Sequence, residues 1–241
     1  MANLHRFIFN SDYPMDKVVY FNHGSASVPA KSGSTNGTKT INIPHGLPFI
    51  PLPIAIWAST EDFNSSLSYE PFPYDFGMVE VKANATNISI KFESSRASAQ
   101  TIYYRVYGLA PESATQEAGK NSRQNSKFIF NTSYAYAPLI FSGEITEDLD
   151  TSKVAYVNVT HGFKELQTRT SRVQIEHNLG RLPYVLFWKQ TGSTVELSNG
   201  PDVQYGFPWQ NYNYVDTKIC NFATYMSDGQ KKWHIRIYAD V

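Results

Sequence analysis

The chain has 241 residues, with 21 Lys plus Arg against 21 Asp plus Glu, so its formal net charge is zero and charged residues make up only 17%. That balance excludes a surface that condenses on nucleic acid or anionic lipid by charge. The single cysteine, Cys220, excludes an internal disulfide framework and a cysteine-rich metal site.

In chain order the first predicted strand is a β-branched and aromatic run at residues 17–21. Residues 40–43 alternate and stop at Pro44-His45-Gly46, a turn signal. The next segment carries Pro48, Pro51 and Pro53, each lacking a ladder donor, which predicts an edge or crossing segment that leads into a strand at 54–57. Strands follow at 78–82, at 87–92 with Ile88, Ile90 and Phe92 on one face, and at 101–107 with Ile102, Tyr104 and Val106 on one face. The second half predicts strands at 128–130, 139–141, 153–159, 173–175, 184–188, 218–222 and 232–238. No window of ten or more residues keeps the 3.6-residue spacing of a buried helix, and 16 Tyr, 15 Phe and 4 Trp favour strands.

The second half repeats the first. FIFNSDYPMDKVVYF at 7–21 returns as FIFNTSYAYAPLIFS at 128–142, and YYRVYGLA at 103–110 returns as HIRIYADV at 234–241. Between them TKTINIPHGLPFIPLPIAIWAS answers to TSRVQIEHNLGRLPYVLFWKQ, matching Ile43 to Ile175, His45 to His177, Leu47 to Leu179, Pro51 to Pro183 and Trp57 to Trp188. Offsets of 121, 132 and 131 imply an insertion of about ten residues early in the second copy. The expected architecture is all-β, two tandem antiparallel β-sandwich or small-barrel domains at residues 1–110 and 126–241, joined by a polar linker at 111–125.

Chemistry-bearing residues are few. His45 with Gly46, and His177 with Gly180, read as matching turns in which the imidazole bonds local backbone, because no neighbour completes a zinc-ligand spacing. His23-Gly24 and His161-Gly162 read as a second repeated turn. The acidic cluster from Glu144 to Asp150, within GEITEDLD at 143–150, reads as a solvated loop, with weak calcium binding as the exception. Cys220 sits between apolar neighbours, a poor setting for a nucleophile. No phosphate-binding glycine loop, Gly-x-Ser-x-Gly elbow or His-Glu-x-x-His occurs. The expectation is a non-enzymatic chain with no metal and no cofactor.

The strongest binding candidates are two aromatic stretches that follow Trp57 and Trp188: Tyr69, Phe72 and Tyr74 in the first, and Tyr205, Phe207, Trp209, Tyr212 and Tyr214 in the second. Rigid rings give large contact area at low entropic cost, which suits a protein partner or a sugar ring.

The opening with Ser11, Asp12, Tyr13, Pro14, Asp16 and Lys17, followed by Ile43 to Leu47, resembles small β-sandwich proteins encoded among bacteriophage structural genes, which pair an SDYP…DK opening with an IPHGLG…P turn. The second copy keeps Tyr134 but has Ser133 and Ala135 where the first has Asp12 and Pro14, while its HNLG at 177–180 is nearer the turn pattern. The likeness covers about a third of the chain at framework positions. It implies a virion structural or assembly component, a tail, baseplate or capsid accessory. Its implied partners are other virion proteins and copies of itself, with no nucleic acid or membrane contact. The N-terminal stretch reaches Asp12 before a long apolar run develops, so synthesis in the host cytoplasm and residence in the virion are expected. The alternative is a carbohydrate-binding or host-adhesion module that uses the aromatic loops on a host surface glycan.

Overall fold

The computed structural model describes residues 18–63, 67–68, 76–111, 139–160, 162–198, 214–223 and 231–239. The fold is all-β, and no helix occurs among the described residues. The described residues divide into two compact units: one holds those between Lys17 and Ala114 together with those between Phe187 and Gly200, the other those between Thr115 and Leu186 and between Pro201 and Val241.

In the first unit β1 (Val18–Val28), β7 (Gln100–Leu109), β3 (Leu52–Ala58) and β4 (Leu67–Ser68) form one antiparallel sheet in that order. A second row runs β13 (Thr194–Ser198), β5 (Phe76–Ala83), β6 (Asn87–Ser94), β2 (Gly37–Pro44), again antiparallel. Strand β12 (Tyr184–Thr191) pairs with β13 from Phe187 onward. Alternation decides which face is buried: Ile88, Ile90 and Phe92 of β6 and Ile102 and Val106 of β7 are fully buried, while Tyr103, Arg105 and Tyr107 are half-buried. Trp57 meets Phe76 and Phe92 edge-on, with centroids 5.1 and 5.9 Å away, contacts that each add roughly 0.5–1.5 kcal/mol beyond area burial.

Pro53 lies inside β3 and keeps ladder register opposite Gly108. The strand tolerates it because β4 reaches only Ile56 and Trp57, so among the described residues no strand on that side asks for the missing N–H. The Pro53 carbonyl instead accepts the indole Nε1–H of buried Trp188 at 2.8 Å.

The second unit pairs β8 (Leu139–Glu147) with β16 (Lys232–Tyr238) antiparallel and with β10 (Lys164–Thr170) parallel. A separate sheet runs β14 (Tyr214–Val215), β15 (Ile219–Ala223), β11 (Arg172–Glu176), β9 (Val154–Asn158), in which β9 lies parallel to β11. Both faces of β8 and β16 are largely buried.

Two expectations need correction. His23 and Gly24 are not a turn but the middle of β1, opposite Arg105 and Tyr104. Glycine stands there because a Cβ would lie 2.6 Å from the Tyr104 hydroxyl oxygen. Nor is GEITEDLD a solvated loop: its first residues complete β8, Glu147 and Asp148 are buried, and only its end, at Leu149 and Asp150, is exposed. The acidic letters conceal a strand because Ile145 alternates with Glu144 and Thr146.

Candidate functional site

Each of the two histidine turns is closed by a distant aspartate- or asparagine-led turn. After β2, His45 Nδ1 accepts the Leu47 N–H at 3.0 Å, and Gly46 takes a left-handed φ of 63°. Nε2 therefore carries the proton and donates to the Asn84 carbonyl at 2.9 Å. Asn84 Oδ1 in turn accepts the N–H groups of Thr86 and Asn87 at 2.9 and 2.8 Å, and the His45 N–H bonds the Thr86 carbonyl.

After β11, His177 Nδ1 accepts the Leu179 N–H at 3.3 Å, and here Asn178 takes the left-handed φ, 48°. The His177 N–H bonds the Lys218 carbonyl at 2.8 Å, and Asp216 Oδ1 accepts the N–H groups of Lys218 and Ile219, both at 2.6 Å. Those N–H groups, Ile219 foremost, hold the Asp216 pKa below its ordinary value. His177 Nε2 lacks a partner at bonding geometry, and burial lowers the imidazole pKa, opposed by the Asp216 carbonyl and carboxylate. In both turns the Nδ1 lone pair is occupied by backbone. A neutral ring so held offers no lone pair to a metal or to a proton in transfer.

Cys220 lies one position along from Ile219 in the same corner and is fully buried. Burial, with the Asp216 charge second, pushes its pKa up to about 12, so it is a thiol and not a nucleophilic thiolate at neutral pH.

The buried acids serve structure. Glu147 accepts the Trp233 indole N–H at 2.9 Å and the Lys231 N–H at 3.3 Å. Asp148 meets Lys153 Nζ at 2.8 Å and Arg169 Nε at 3.0 Å, and the Lys153 hydrogen bond leads the causes that lower its pKa. Among the described residues no three His, Cys, Asp or Glu side chains converge as a metal-holding group.

A polar row missed by sequence reasoning lies on β8 and β16, where the ladder sets Glu144 opposite His234 and Ser142 opposite Arg236. Ser142, His234 and Arg236 are buried, and Lys232 Nζ binds Glu144 at 2.7 Å. Burial pushes the His234 pKa down to about 4, with Glu144 raising and Lys232 lowering it less. An imidazole that weakly basic is a poor general base at neutral pH. The only sequence signal for this row is the alternation of HIRIY, which marks a strand but not its burial.

Of the aromatic candidates, Tyr69, Phe72, Tyr74, Tyr205, Phe207, Trp209 and Tyr212 lie outside the described residues, and Tyr214 begins β14. Among the described residues the large apolar side chains that stand exposed are Val18, Phe21, Leu149, Tyr156, Leu182 and Tyr184. No protein-family model, curated protein or solved structure matches the chain.

Proposed function

We propose that the chain is a tandem duplication of one β-sandwich and acts as a non-enzymatic virion structural or assembly component, working through protein contacts. Ladder register supports the duplication. Asn22 opposite Val106 and Ala26 opposite Ile102 answer to Phe141 opposite Ile237 and Ile145 opposite Trp233. Ile41 opposite Ile90 and Ile43 opposite Ile88 answer to Val173 opposite Phe222 and Ile175 opposite Cys220. Trp57 opposite Leu67 answers to Trp188 opposite Leu197. On this reading Gly24 and Gly143 are equivalent, so the second copy has lost two residues between its opening motif and β8, and its later insertion supplies β9 and β10.

The observation that carries the functional reading is the use made of the reactive groups. Both turn imidazoles, the thiol and the acids of β8 are tied into local structure, whereas rings such as Tyr156 and Tyr184 are left on the surface, where aromatic residues serve interfaces. The resemblance to phage structural proteins supplies the setting, with other virion proteins and further copies of the chain as partners.

The test is the assembly state of the purified chain and of Trp209→Ala by sedimentation velocity, with melting temperature in parallel. Loss of assembly at unchanged melting temperature is the expected result. Unchanged assembly with a lowered melting temperature refutes the loop as a contact, and retention on a sugar matrix that Trp209→Ala abolishes transfers the reading to glycan adhesion.

A further inference from the structure

Among the described residues six strands end the sheet orders: β1 and β4, β10 and β2, β14 and β9. An open edge invites pairing with another chain, and proteins blunt it with charge, proline or brevity. Four of the six are blunted: β4 and β14 have two residues each, β10 carries Lys164, Glu165 and Arg169, and β2 carries Lys39 and ends in Pro44. β9, VAYVN, is also free of charge and proline but is less than half the length of β1. β1 has none of these devices. Its 11 residues, VVYFNHGSASV, include no charged group and no proline, and its one register irregularity, between Val18 and Tyr20, leaves the ladder regular from Tyr20 to Val28.

Side-chain size along β1 says what pairs with it. The exposed face presents Phe21, then His23, then Ser25 and Ser27, with Val18 exposed at the large end. Phe21 is half exposed although its ring packs 5.2 Å from Tyr107. An antiparallel neighbour that is small where β1 is large, and neutral throughout, is β1 itself. A two-fold axis sets residue i of one copy against j of the other and j against i. With that axis through His23, each Phe21 ring lies against Ser25 of the partner subunit, and the two His23 rings, the strand's one pair that titrates near neutral pH, meet on the axis.

We propose that β1 is the self-association edge of this chain, joining two copies antiparallel about an axis through His23. This deepens the assembly reading by naming one contact, and it rests on that reading only in taking the chain to act through protein partners.

The test uses the full chain. Phe21→Lys with Ser25→Lys places lysine against lysine on both sides of the axis, and raises the dimer dissociation constant by about 100-fold or more, with melting temperature little changed. Phe21→Lys with Ser25→Glu sets opposite charges across the same positions and restores the dimer. His23→Cys, in a chain whose natural thiol is buried, oxidises to a covalent dimer. A wild-type chain that stays monomeric, a double-lysine variant that dimerises as well as wild type, or failure of the lysine–glutamate pair to restore association overturns the proposal. If Trp209→Ala disrupts assembly while the double-lysine variant does not, the β1 edge is refuted and the assembly reading stands.

Discussion

His234 makes stability depend on pH in a window of its own. The side chain is 1% exposed, and burial takes its pKa from 6.5 to about 4. A base whose folded pKa is depressed binds its proton more readily when unfolded, so its cost is absent above pH 6.5 and grows as pH falls toward the folded value. A separation of two to three pH units is worth roughly 3 kcal/mol, a large share of a domain's stability. Glu144 and Lys232 face the ring and are ion-paired to each other, which limits either as a rescuing counter-charge. The assay is urea unfolding at steps from pH 7 to about 4.5, comparing wild type with His234→Gln. Wild type should lose stability progressively below pH 6.5, and the variant should show a much flatter profile, keeping the smaller contribution of the same sign from His177. Asp148 and Asp216, whose pKa values are lowered, contribute stability that is lost only as pH falls below their ordinary value of 3.8, outside the tested range. A midpoint constant from pH 6.5 to 4.5, or a variant as steep as wild type, would refute the burial argument.

Other consequences follow from the same contacts. His45→Ala removes two hydrogen bonds and should cost about 2 kcal/mol in chemical denaturation; His177→Ala removes one longer bond and should cost about half that, while equal losses would contradict the difference at Nε2. Glu147→Ala strands the Trp233 indole N–H and the Lys231 N–H, so a loss of about 3 kcal/mol is expected, and the coupling with Trp233→Phe in a double-mutant cycle measures the indole's share. Cys220 should resist a thiol reagent in the native chain and react at the rate of unfolding when denaturant is added; rapid native labelling would contradict its burial.

The all-β class was legible because β propensity and period-two alternation act locally: Ile88, Ile90 and Phe92 announce β6 without help from the rest of the chain. Four strands were not foreseen. β4 and β14 are two residues long, β13 follows a tight turn at Gly192, and β10, LysGluLeuGlnThrArgThr, has the polarity of a loop because among the described residues it is an edge strand paired with β8 alone. The acids of β8 misled for the opposite reason: Glu147 is buried through partners some 84 and 86 residues away, which no local pattern reports. Proline, glycine and asparagine mark chain reversal around His45 and His177, but the Asn84 and Asp216 turns that close on them lie 39 residues beyond in each case.

Taking the halves as copies, identical letters meet unlike surroundings. Arg105 and Arg236 occupy matching ladder positions, as do Tyr103 and His234. In β7 the guanidinium lies 4.1 Å over the Phe63 ring and remains half-buried. Phe63 itself takes a left-handed φ of 56°, a conformation costing roughly 1–2 kcal/mol that the cation–π contact helps to offset. In β16 the equivalent guanidinium is 2% exposed beside a neutral imidazole. A tyrosine tolerates a half-wet sheet face because its hydroxyl can reach water; a histidine at the same position, once covered, must give up its charge. On that reading the face carrying His234 and Arg236 is interior, while its counterpart still presents Phe21, Tyr107 and Arg105 to solvent. On that same reading, burial of polar side chains at matched positions, more than loss of hydrophobic pattern, is what distinguishes the second half from the first.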